Sequence, residues 1–244
     1  MAQLDISSDY NGVCDQVAEC IASLVDAKPN AVLGLATGST PLGVYQRLVR
    51  RHSENRLDFS QVTCFNLDEY YPMAADSPHS YHAFMHKHLF QHVDCLRWFV
   101  PDGSPGTPEL IASRCQDYEA LIAGTGGIDL QLLGLGRTGH IGFNEPGSGR
   151  DTRTRLVTLD PLTREDAAAG FGGLGNVPFQ AVSMGIATIL DAREIAVIAS
   201  GPAKAAVVAA AFLGAETAAV PASFLRAHPN VTLYLDKSAA ALIG

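Results

Sequence analysis

Residues 128–146 read Ile-Asp-Leu-Gln-Leu-Leu-Gly-Leu-Gly-Arg-Thr-Gly-His-Ile-Gly-Phe-Asn-Glu-Pro. The first six residues are an apolar run that predicts a buried strand. The glycines at 134, 136, 139 and 142 let the backbone take positive φ and approach a ligand closely. His140, followed five residues later by Glu145, suits proton chemistry near neutral pH. The segment therefore predicts a reactive turn at the end of a strand.

Strand-like and helix-like segments alternate along the rest of the chain. Apolar runs predict strands at 31–36, 61–67, 98–100, 128–133, 154–159, 194–199 and 231–235. Apolar spacing predicts helices at 15–28, 41–51, 81–92, 108–122, 181–190, 202–213, 221–227 and 238–243. The Gly- and Ala-rich segment 167–179 has no periodicity and predicts a mobile loop. The alternation predicts a single α/β domain over residues 1–244, a three-layer, modified Rossmann-like fold with a mainly parallel central sheet and helices on both faces.

The composition excludes several classes of protein. A formal charge of −8 argues against a nucleic-acid binder, which needs a basic face. No apolar run is long enough to span a bilayer, and no secretory signal is visible, so we expect no membrane partner. The five cysteines are scattered and form no C-x-x-C pair, which suits reduced thiols better than disulfides or a zinc site. We therefore expect a cytoplasmic protein.

The glycine spacing at Gly134, Gly136 and Gly139 also matches the G-x-G-x-x-G pattern of dinucleotide-binding proteins. That pattern requires a helix to begin at the third glycine. Gly142 and Pro146 follow instead, and an ordinary helix does not tolerate them. The pattern is therefore weak support for a nicotinamide cofactor.

A second candidate site is the turn Thr37-Gly38-Ser39-Thr40-Pro41, which follows the predicted strand 31–36. We expect Thr40 to cap a helix whose first residue is Pro41, leaving free amides that suit a phosphate or carboxylate. The alternative is a capped helix that binds nothing. Lys204, in the first turn of the predicted helix 202–213, opposes the helix dipole unless an anion lies nearby, although it can equally be an exposed lysine.

The acidic pair Asp68-Glu69 ends the predicted strand 61–67. Asp68 directly follows the apolar run, so partial burial would raise its pKa toward that of a usable base, whereas a solvated or helix-capping carboxylate is the alternative. In a parallel sheet, ligands bind beyond the carboxyl ends of the strands. Four strand ends then carry candidate residues: 37–40, 68–69, 134–145 and 201–204.

Five histidines in the segment 79–92 raise the question of a metal site: His79, His82, His86, His88 and His92. Two pairs share a helix face at i, i+4, but H-x-x-x-H without an intervening glutamate is a weak motif and no third ligand is evident. We interpret the cluster as a polar helix surface and predict no metal.

Seven motifs together resemble the glucosamine-6-phosphate deaminase (isomerase) family, within the sugar-phosphate isomerase and 6-phosphogluconolactonase superfamily. They occupy residues 35–43, 65–71, 80–85, 139–146, 152–155, 184–190 and 221–225, so the likeness covers nearly the whole chain. The ending Phe-Asn-Glu-Pro at 143–146 is the most specific part, because lactonase relatives are similar up to Gly-His and then diverge.

The resemblance implies conversion of glucosamine 6-phosphate and water to fructose 6-phosphate and ammonia, without a cofactor. Asp68 would move a proton from C2 to C1 of the open sugar, His140 would open the ring, and Glu145 would orient His140. The 6-phosphate of this small-molecule partner would be held by Thr37, Gly38, Ser39, Thr40 and Lys204. Further substrate contacts are expected from Glu69, Gly136, Gly139 and Asn144.

Two departures from the family pattern stand out. Thr138 occupies a position where many members carry an acidic residue or asparagine, so its part in catalysis is open. The loop 166–173 lacks an arginine that reaches the phosphate in many members, and Arg155 and Arg164 are the nearest substitutes. Galactosamine 6-phosphate as substrate, hydrolysis of a 6-phosphosugar lactone, and a non-catalytic sugar-phosphate sensor are the alternatives. The oligomeric state is open, with a homo-oligomer as one option.

Overall fold

The structure, a computed structural model, describes residues 2–243. Its strands are β1 (Gln3–Ser7), β2 (Val32–Leu35), β3 (Thr63–Asn66), β4 (Asp68–Tyr71), β5 (Arg97–Phe99), β6 (Leu130–Gly134), β7 (Arg155–Thr158), β8 (Gln180–Ser183), β9 (Glu194–Ala199) and β10 (Val231–Asp236). Its α-helices are α1 (Tyr10–Ala27), α2 (Leu42–Ser53), α3 (Tyr81–Met85), α4 (Pro108–Gly124), α5 (Pro161–Ala167), α6 (Ile186–Leu190) and α7 (Ala205–Phe212). A π-helical turn, His86–Phe90, extends α3, and 3₁₀ segments lie at Ala168–Phe171, Leu174–Asn176, Pro202–Lys204 and Pro221–Ala227. None of the helices among these residues is long and apolar enough to cross a membrane.

Seven strands form one sheet in the order β1-β10-β9-β6-β2-β3-β5, and every neighbouring pair is parallel. Because parallel neighbours need a crossover connection, helices return the chain between them. The turns that follow β2, β3, β6 and β9 therefore lie along one edge of the sheet. The turn after β6 lies between the turns after β2 and β9.

The core has two halves, one on each face of this sheet, because successive strand side chains point to opposite faces. Leu33 and Leu35 pack on the side of α1 and α2, whereas Val32 packs on the side of α4 and α7. The predicted three-layer α/β arrangement with a parallel central sheet is confirmed.

A smaller antiparallel sheet, in the order β4-β8-β7, adjoins the end of β3. Leu67 connects the two sheets: its amide donates to Leu35 O at 3.1 Å, and its carbonyl accepts from Met184 N at 2.8 Å. The next residue, Asp68, pairs with Ser183 in β8. The small sheet thus fixes the backbone of Asp68 at the carboxyl edge of the large one.

Several local predictions were wrong. The first residues of the predicted helix 181–190 form β8. The predicted strand 154–159 is present as β7, but it lies in the small sheet. The segment 167–179, predicted as a loop, contains two 3₁₀ segments with buried Phe171 and Val177. Pro41, not Thr40, is the N-cap residue of α2, without a side-chain hydrogen bond. Residues 238–243 form turns rather than a helix.

Candidate active site

The four predicted stretches lie at the same edge of the central sheet. Residues 37–40 follow β2, Asp68 follows β3, residues 135–145 follow β6, and Lys204 follows β9. This placement results from the parallel strand order, which brings together residues far apart in the sequence.

His140 has three polar neighbours at one ring nitrogen. Its Nδ1 lies 2.9 Å from Thr138 Oγ1, 3.1 Å from Glu145 Oε2 and 3.4 Å from Thr163 Oγ1. A carboxylate and two hydroxyls thus surround Nδ1, and Nε2 remains the nitrogen that can exchange a proton with a ligand. Thr138 therefore presents a hydroxyl to the histidine at the position where an acidic residue or asparagine was expected from the resemblance.

Gly136 makes room for the imidazole ring. A Cβ atom at this position would lie 2.1 Å from His140 Nε2, well inside contact distance. The backbone also supports the turn, since Gly136 N donates to His140 O at 3.0 Å and Gly139 N donates to Gly136 O at 3.0 Å. Gly139 has a φ of +82°, a conformation that favours glycine. These glycines hold the shape of the turn, and the substrate contacts expected of Gly136 and Gly139 stay predictions.

Glu145 is buried, with 8% of its surface exposed, and is anchored from the side of α5. Its Oε1 accepts a hydrogen bond from Asp160 N at 3.3 Å. Burial acts to raise the pKa of Glu145, but hydrogen bonding and charge from His140 and hydrogen bonding from Thr163 lower it below the usual value. The residue is therefore an ionised partner for His140. Thr163, which had no sequence motif to mark it, is part of the same cluster.

Asp68 is buried, with 5% of its surface exposed, and faces the histidine turn. A Cβ atom on Gly142 would lie 3.3 Å from Asp68 Oδ2 and 3.1 Å from Ser183 Oγ. Burial, with a smaller contribution from the charge of Glu69, raises the pKa of Asp68 to about 8. The desolvation expected from the sequence is present, and it makes Asp68 a stronger base than an exposed carboxylate.

Glu69 points away from Asp68, as alternate residues of a strand do. Its Oε1 accepts from Tyr81 N and Tyr70 N, both at 2.9 Å, and its Oε2 accepts from His82 N at 3.0 Å. These bonds satisfy amides at the first turn of α3. Burial raises the pKa of Glu69 to about 7. Glu69 therefore caps α3 in this structure, and a contact of Glu69 with the substrate stays a prediction.

Asn144 is fully buried and uses both ends of its amide within the protein. Its Nδ2 donates to Ile141 O at 2.9 Å and Met184 O at 2.8 Å, and its Oδ1 accepts from Arg155 Nη1 at 2.9 Å. With these groups occupied, Asn144 fixes the turn between His140 and Glu145. A contact of Asn144 with the substrate stays a prediction.

The turn 37–40 presents backbone donors. Among residues 2–243, the amides of Gly38, Ser39 and Thr40 have no hydrogen-bond partner. Gly38 has a φ of +97°, which favours glycine, and the Tyr10 hydroxyl donates to Thr40 O at 2.9 Å. The 12-residue helix α2 begins directly afterwards, so its dipole adds to the attraction for an anion.

Tyr81 connects this turn to the rest of the site. Its hydroxyl lies near the Thr37 side chain and donates to the Tyr70 hydroxyl at 3.3 Å. Its ring is stacked on that of Phe143, with centroids 5.9 Å apart. This half-buried side chain thus joins the turns after β2 and β6 and the small sheet. The sequence reasoning did not single out this residue.

Lys204 lies at the start of α7 and is directed toward the turn after β6. Its Nζ donates to Leu135 O at 2.7 Å. The pKa of Lys204 is lowered, mainly by burial. The charge of Asp166 acts to raise this pKa, and the charge of Arg137 acts to lower it. No direct contact joins Lys204 to residues 37–40, so their shared role in phosphate binding stays a prediction.

The two arginines considered as substitutes in the loop 166–173 are held elsewhere. Arg164 donates to the carbonyls of Val177 at 2.9 Å and Pro178 at 3.1 Å, and its guanidinium lies 3.7 Å from the centroid of the Phe179 ring. Arg155 donates to Asn144 and, at 3.2 Å, to Ser148 Oγ. Both side chains stabilise loops in this structure.

The histidine cluster is spread around Trp98 and Phe residues. His82 and His86 lie 4.5 Å and 6.4 Å from the Trp98 ring, and His79 is stacked on Phe171 at 4.9 Å. Across residues 2–243, no group of three or more His, Cys, Asp or Glu side chains could hold a metal ion. The cluster is a packed aromatic and polar surface.

Comparison with known proteins places this site in a family. Residues 10–234 match the family model described as glucosamine-6-phosphate isomerases/6-phosphogluconolactonase. A protein of Halothermothrix orenii named glucosamine-6-phosphate deaminase is 46% identical, with 98% of each chain covered. A protein of the same name from Rhodopirellula baltica is 47% identical, covering 99% of this chain and 96% of its own.

A solved structure agrees with the sequence comparison. The structure of a monomeric glucosamine-6-phosphate deaminase superposes with a TM-score of 0.94 at 41% identity, covering 98% of this chain and 99% of its own. Because the family model and these relatives match almost the full length of the chain, the likeness includes every strand end that carries a candidate residue. The chain belongs to the glucosamine-6-phosphate isomerase and 6-phosphogluconolactonase family.

Proposed function

We propose that the protein is a glucosamine-6-phosphate deaminase: an enzyme that converts glucosamine 6-phosphate and water to fructose 6-phosphate and ammonia. The observation that carries this proposal is the buried Asp68 carboxylate, which faces the turn of His140 and Glu145 across Gly142. The relatives named above carry the same activity in their names and span nearly the whole chain.

Ring opening is the first step, and we assign it to His140. Nε2 takes the proton of the C1 hydroxyl and delivers a proton to the ring oxygen, so the C1–O bond to the ring breaks and an aldehyde forms. Glu145, ionised and 3.1 Å from Nδ1, stabilises the imidazolium that forms in between. Thr138 and Thr163 hold the ring with their hydroxyls.

Asp68 then carries the isomerisation. The aldehyde acidifies the hydrogen on C2, and the carboxylate removes it as a proton while a proton of the substrate's ammonium group passes to O1, giving a neutral enolamine. Return of this proton to C1 produces an iminium group at C2, which adds water and expels ammonia. A carboxylate shielded from solvent retains the proton between the two transfers better than an exposed one would, and its pKa of about 8 favours proton uptake.

The 6-phosphate is assigned to the free amides of 37–40 together with Lys204. Support comes from the unpaired donors at the start of α2 and from the parallel sheet, which brings these segments to one edge. We infer that residues 1–244 act as one domain. A cytoplasmic location is supported by five free cysteines. Self-association stays a prediction, to be settled by light scattering on the purified protein.

The test is an assay of ammonia and fructose 6-phosphate with glucosamine 6-phosphate and galactosamine 6-phosphate in parallel. We expect equal amounts of the two products from glucosamine 6-phosphate and slower turnover of its epimer. Lactonase activity without ammonia release would contradict the proposal, as would binding of the sugar phosphate without turnover. Faster turnover of galactosamine 6-phosphate would reassign the substrate while retaining the reaction.

A further inference from the structure

Arg137 lies in the turn after β6, and the sequence motifs assigned no function to it. Because the sheet order is β9-β6-β2, this turn lies between Lys204, which follows β9, and residues 37–40, which follow β2. A side chain from this turn can therefore approach the region to which the proposed phosphate site belongs.

The guanidinium of Arg137 is held by a single carboxylate. Nη2 lies 3.1 Å from Asp166 Oδ1, and the two side chains are 52% and 53% exposed. An ion pair this accessible contributes little to the stability of the fold and exchanges readily with another anion. The pair joins the turn after β6 to the last turn of α5.

Lys204 is close to the same pair. Its Nζ is fixed at 2.7 Å from Leu135 O, two residues before Arg137, and no carboxylate lies within 4.0 Å of it in the described part of the chain. The effects of Asp166 and Arg137 on the pKa of Lys204 show that the three charges sense one another. Two cations thus share one exposed carboxylate, which leaves them with excess positive charge.

We propose that Arg137 binds the 6-phosphate of the substrate beside Lys204, and that Asp166 is the resting partner that the phosphate displaces. The inference rests on the proposed function and extends it to a residue of this chain. The loop 166–173 carries no arginine, and Arg164 is occupied by the carbonyls of Val177 and Pro178. Arg137 supplies a guanidinium that can hold a phosphate through two parallel hydrogen bonds.

The test uses two substitutions that break the same ion pair from opposite sides. Arg137→Gln removes the phosphate ligand, so KM for glucosamine 6-phosphate rises about tenfold, with a smaller change in kcat. Asp166→Asn removes the competing carboxylate, so KM falls about two- to fivefold. If the ion pair were only structural, the two variants would shift KM in the same direction, and that result would overturn the inference. An unchanged KM in Arg137→Gln would overturn it as well.

A matched control is Arg150→Gln, which breaks the ion pair of Arg150 with Glu216, 2.8 Å long and 41% and 38% exposed. It should leave KM unchanged. A second readout does not need turnover: inorganic phosphate should raise the thermal unfolding temperature of the full-length protein, less so in Arg137→Gln and more so in Asp166→Asn. If the protein released no ammonia, this phosphate titration would still decide the role of Arg137. Equal protection of all three proteins would contradict it.

Discussion

Asp68 and Gly142 approach so closely that a Cβ atom on Gly142 would lie 3.3 Å from Asp68 Oδ2. Because glycine has no side chain, the Asp68 carboxylate remains accessible from the turn that carries His140. The contact spans two strand ends, β3 and β6, that lie on opposite sides of β2 in the sheet. The strand order brings Asp68 and the turn of His140 to one edge of the sheet, and the lack of a side chain at Gly142 lets them approach.

Gly142→Ala should reduce turnover by about tenfold or more, because the new methyl group crowds the carboxylate of the base. Gly172→Ala is the control for the effect of backbone strain. Both glycines have positive φ, +54° at Gly142 and +68° at Gly172, but a Cβ atom at Gly172 meets nothing within 4 Å. The two variants should lose similar stability, about 1 kcal/mol, in denaturant unfolding. Equal loss of turnover in both would argue against a specific effect on Asp68.

The pH dependence of catalysis should report the charge of Asp68. The base acts only when ionised, so kcat/KM should rise with pH and level off above the Asp68 pKa of about 8. Glu69 contributes a repulsive charge to this pKa, so Glu69→Gln should move the rise in kcat/KM to lower pH. The measurement is the ratio of variant to wild-type kcat/KM across the pH range, because ionisation of the substrate affects both enzymes equally and cancels in the ratio. A ratio that is constant with pH would contradict this coupling.

Gly136→Ala should displace the imidazole of His140, because a Cβ atom would lie 2.1 Å from its Nε2. We expect turnover to fall by about 100-fold, as for a misplaced catalytic group, with the fold retained. Gly134→Ala, at the end of the same strand, is the control, since a Cβ atom there meets nothing within 4 Å. Ammonia-release rates and circular dichroism of both variants provide the measurement. A fully active Gly136→Ala protein would show that the ring position has no influence.

Thr163→Val should lower kcat by about three- to tenfold with little change in KM, because it removes a hydroxyl that holds His140 and Glu145 in register. Thr163→Ser keeps the hydroxyl and should restore most of kcat. Thr158→Val makes the same change at an exposed position of β7 and serves as control. Equal kcat for the valine and serine variants would mean that packing, rather than the hydroxyl, is what matters at this position.

The apolar runs of the sequence predicted six of the seven strands of the central sheet, all but β1, and only β7 of the small sheet. The inner strands of the central sheet are buried apolar runs with distinct ends, such as 194–199, where the predicted and observed bounds agree. β4 and β8 are four residues each, and Ala181 and Val182 suit a helix or a strand equally. β1 is an edge strand with exposed Leu4 and Ile6, and its sequence lacks the continuous apolar run that predicted the other strands of the central sheet.

For the site, local motifs identified His140 and Glu145 because both lie in one turn. Thr163 is 23 residues from His140 in the sequence, and only the packing of α5 brings its hydroxyl to the ring. The polar side chains of Glu69 and Asn144 are of types that often bind ligands. In this fold Glu69 accepts hydrogen bonds from backbone amides, and Asn144 accepts one from Arg155. Residue type alone cannot distinguish ligand binding from hydrogen bonding within the protein, because a carboxylate or an amide makes the same kinds of hydrogen bond in both cases.

The most direct test of the account is the rate of ammonia release by Asp68→Asn with saturating glucosamine 6-phosphate. The amide retains the size of the side chain but cannot accept the C2 proton. We predict a loss of about 100- to 10,000-fold relative to wild type, the usual contribution of a general base. Asp58→Asn, at an exposed position away from the site, should keep wild-type activity. Ammonia release by Asp68→Asn at close to the wild-type rate would contradict the central claim.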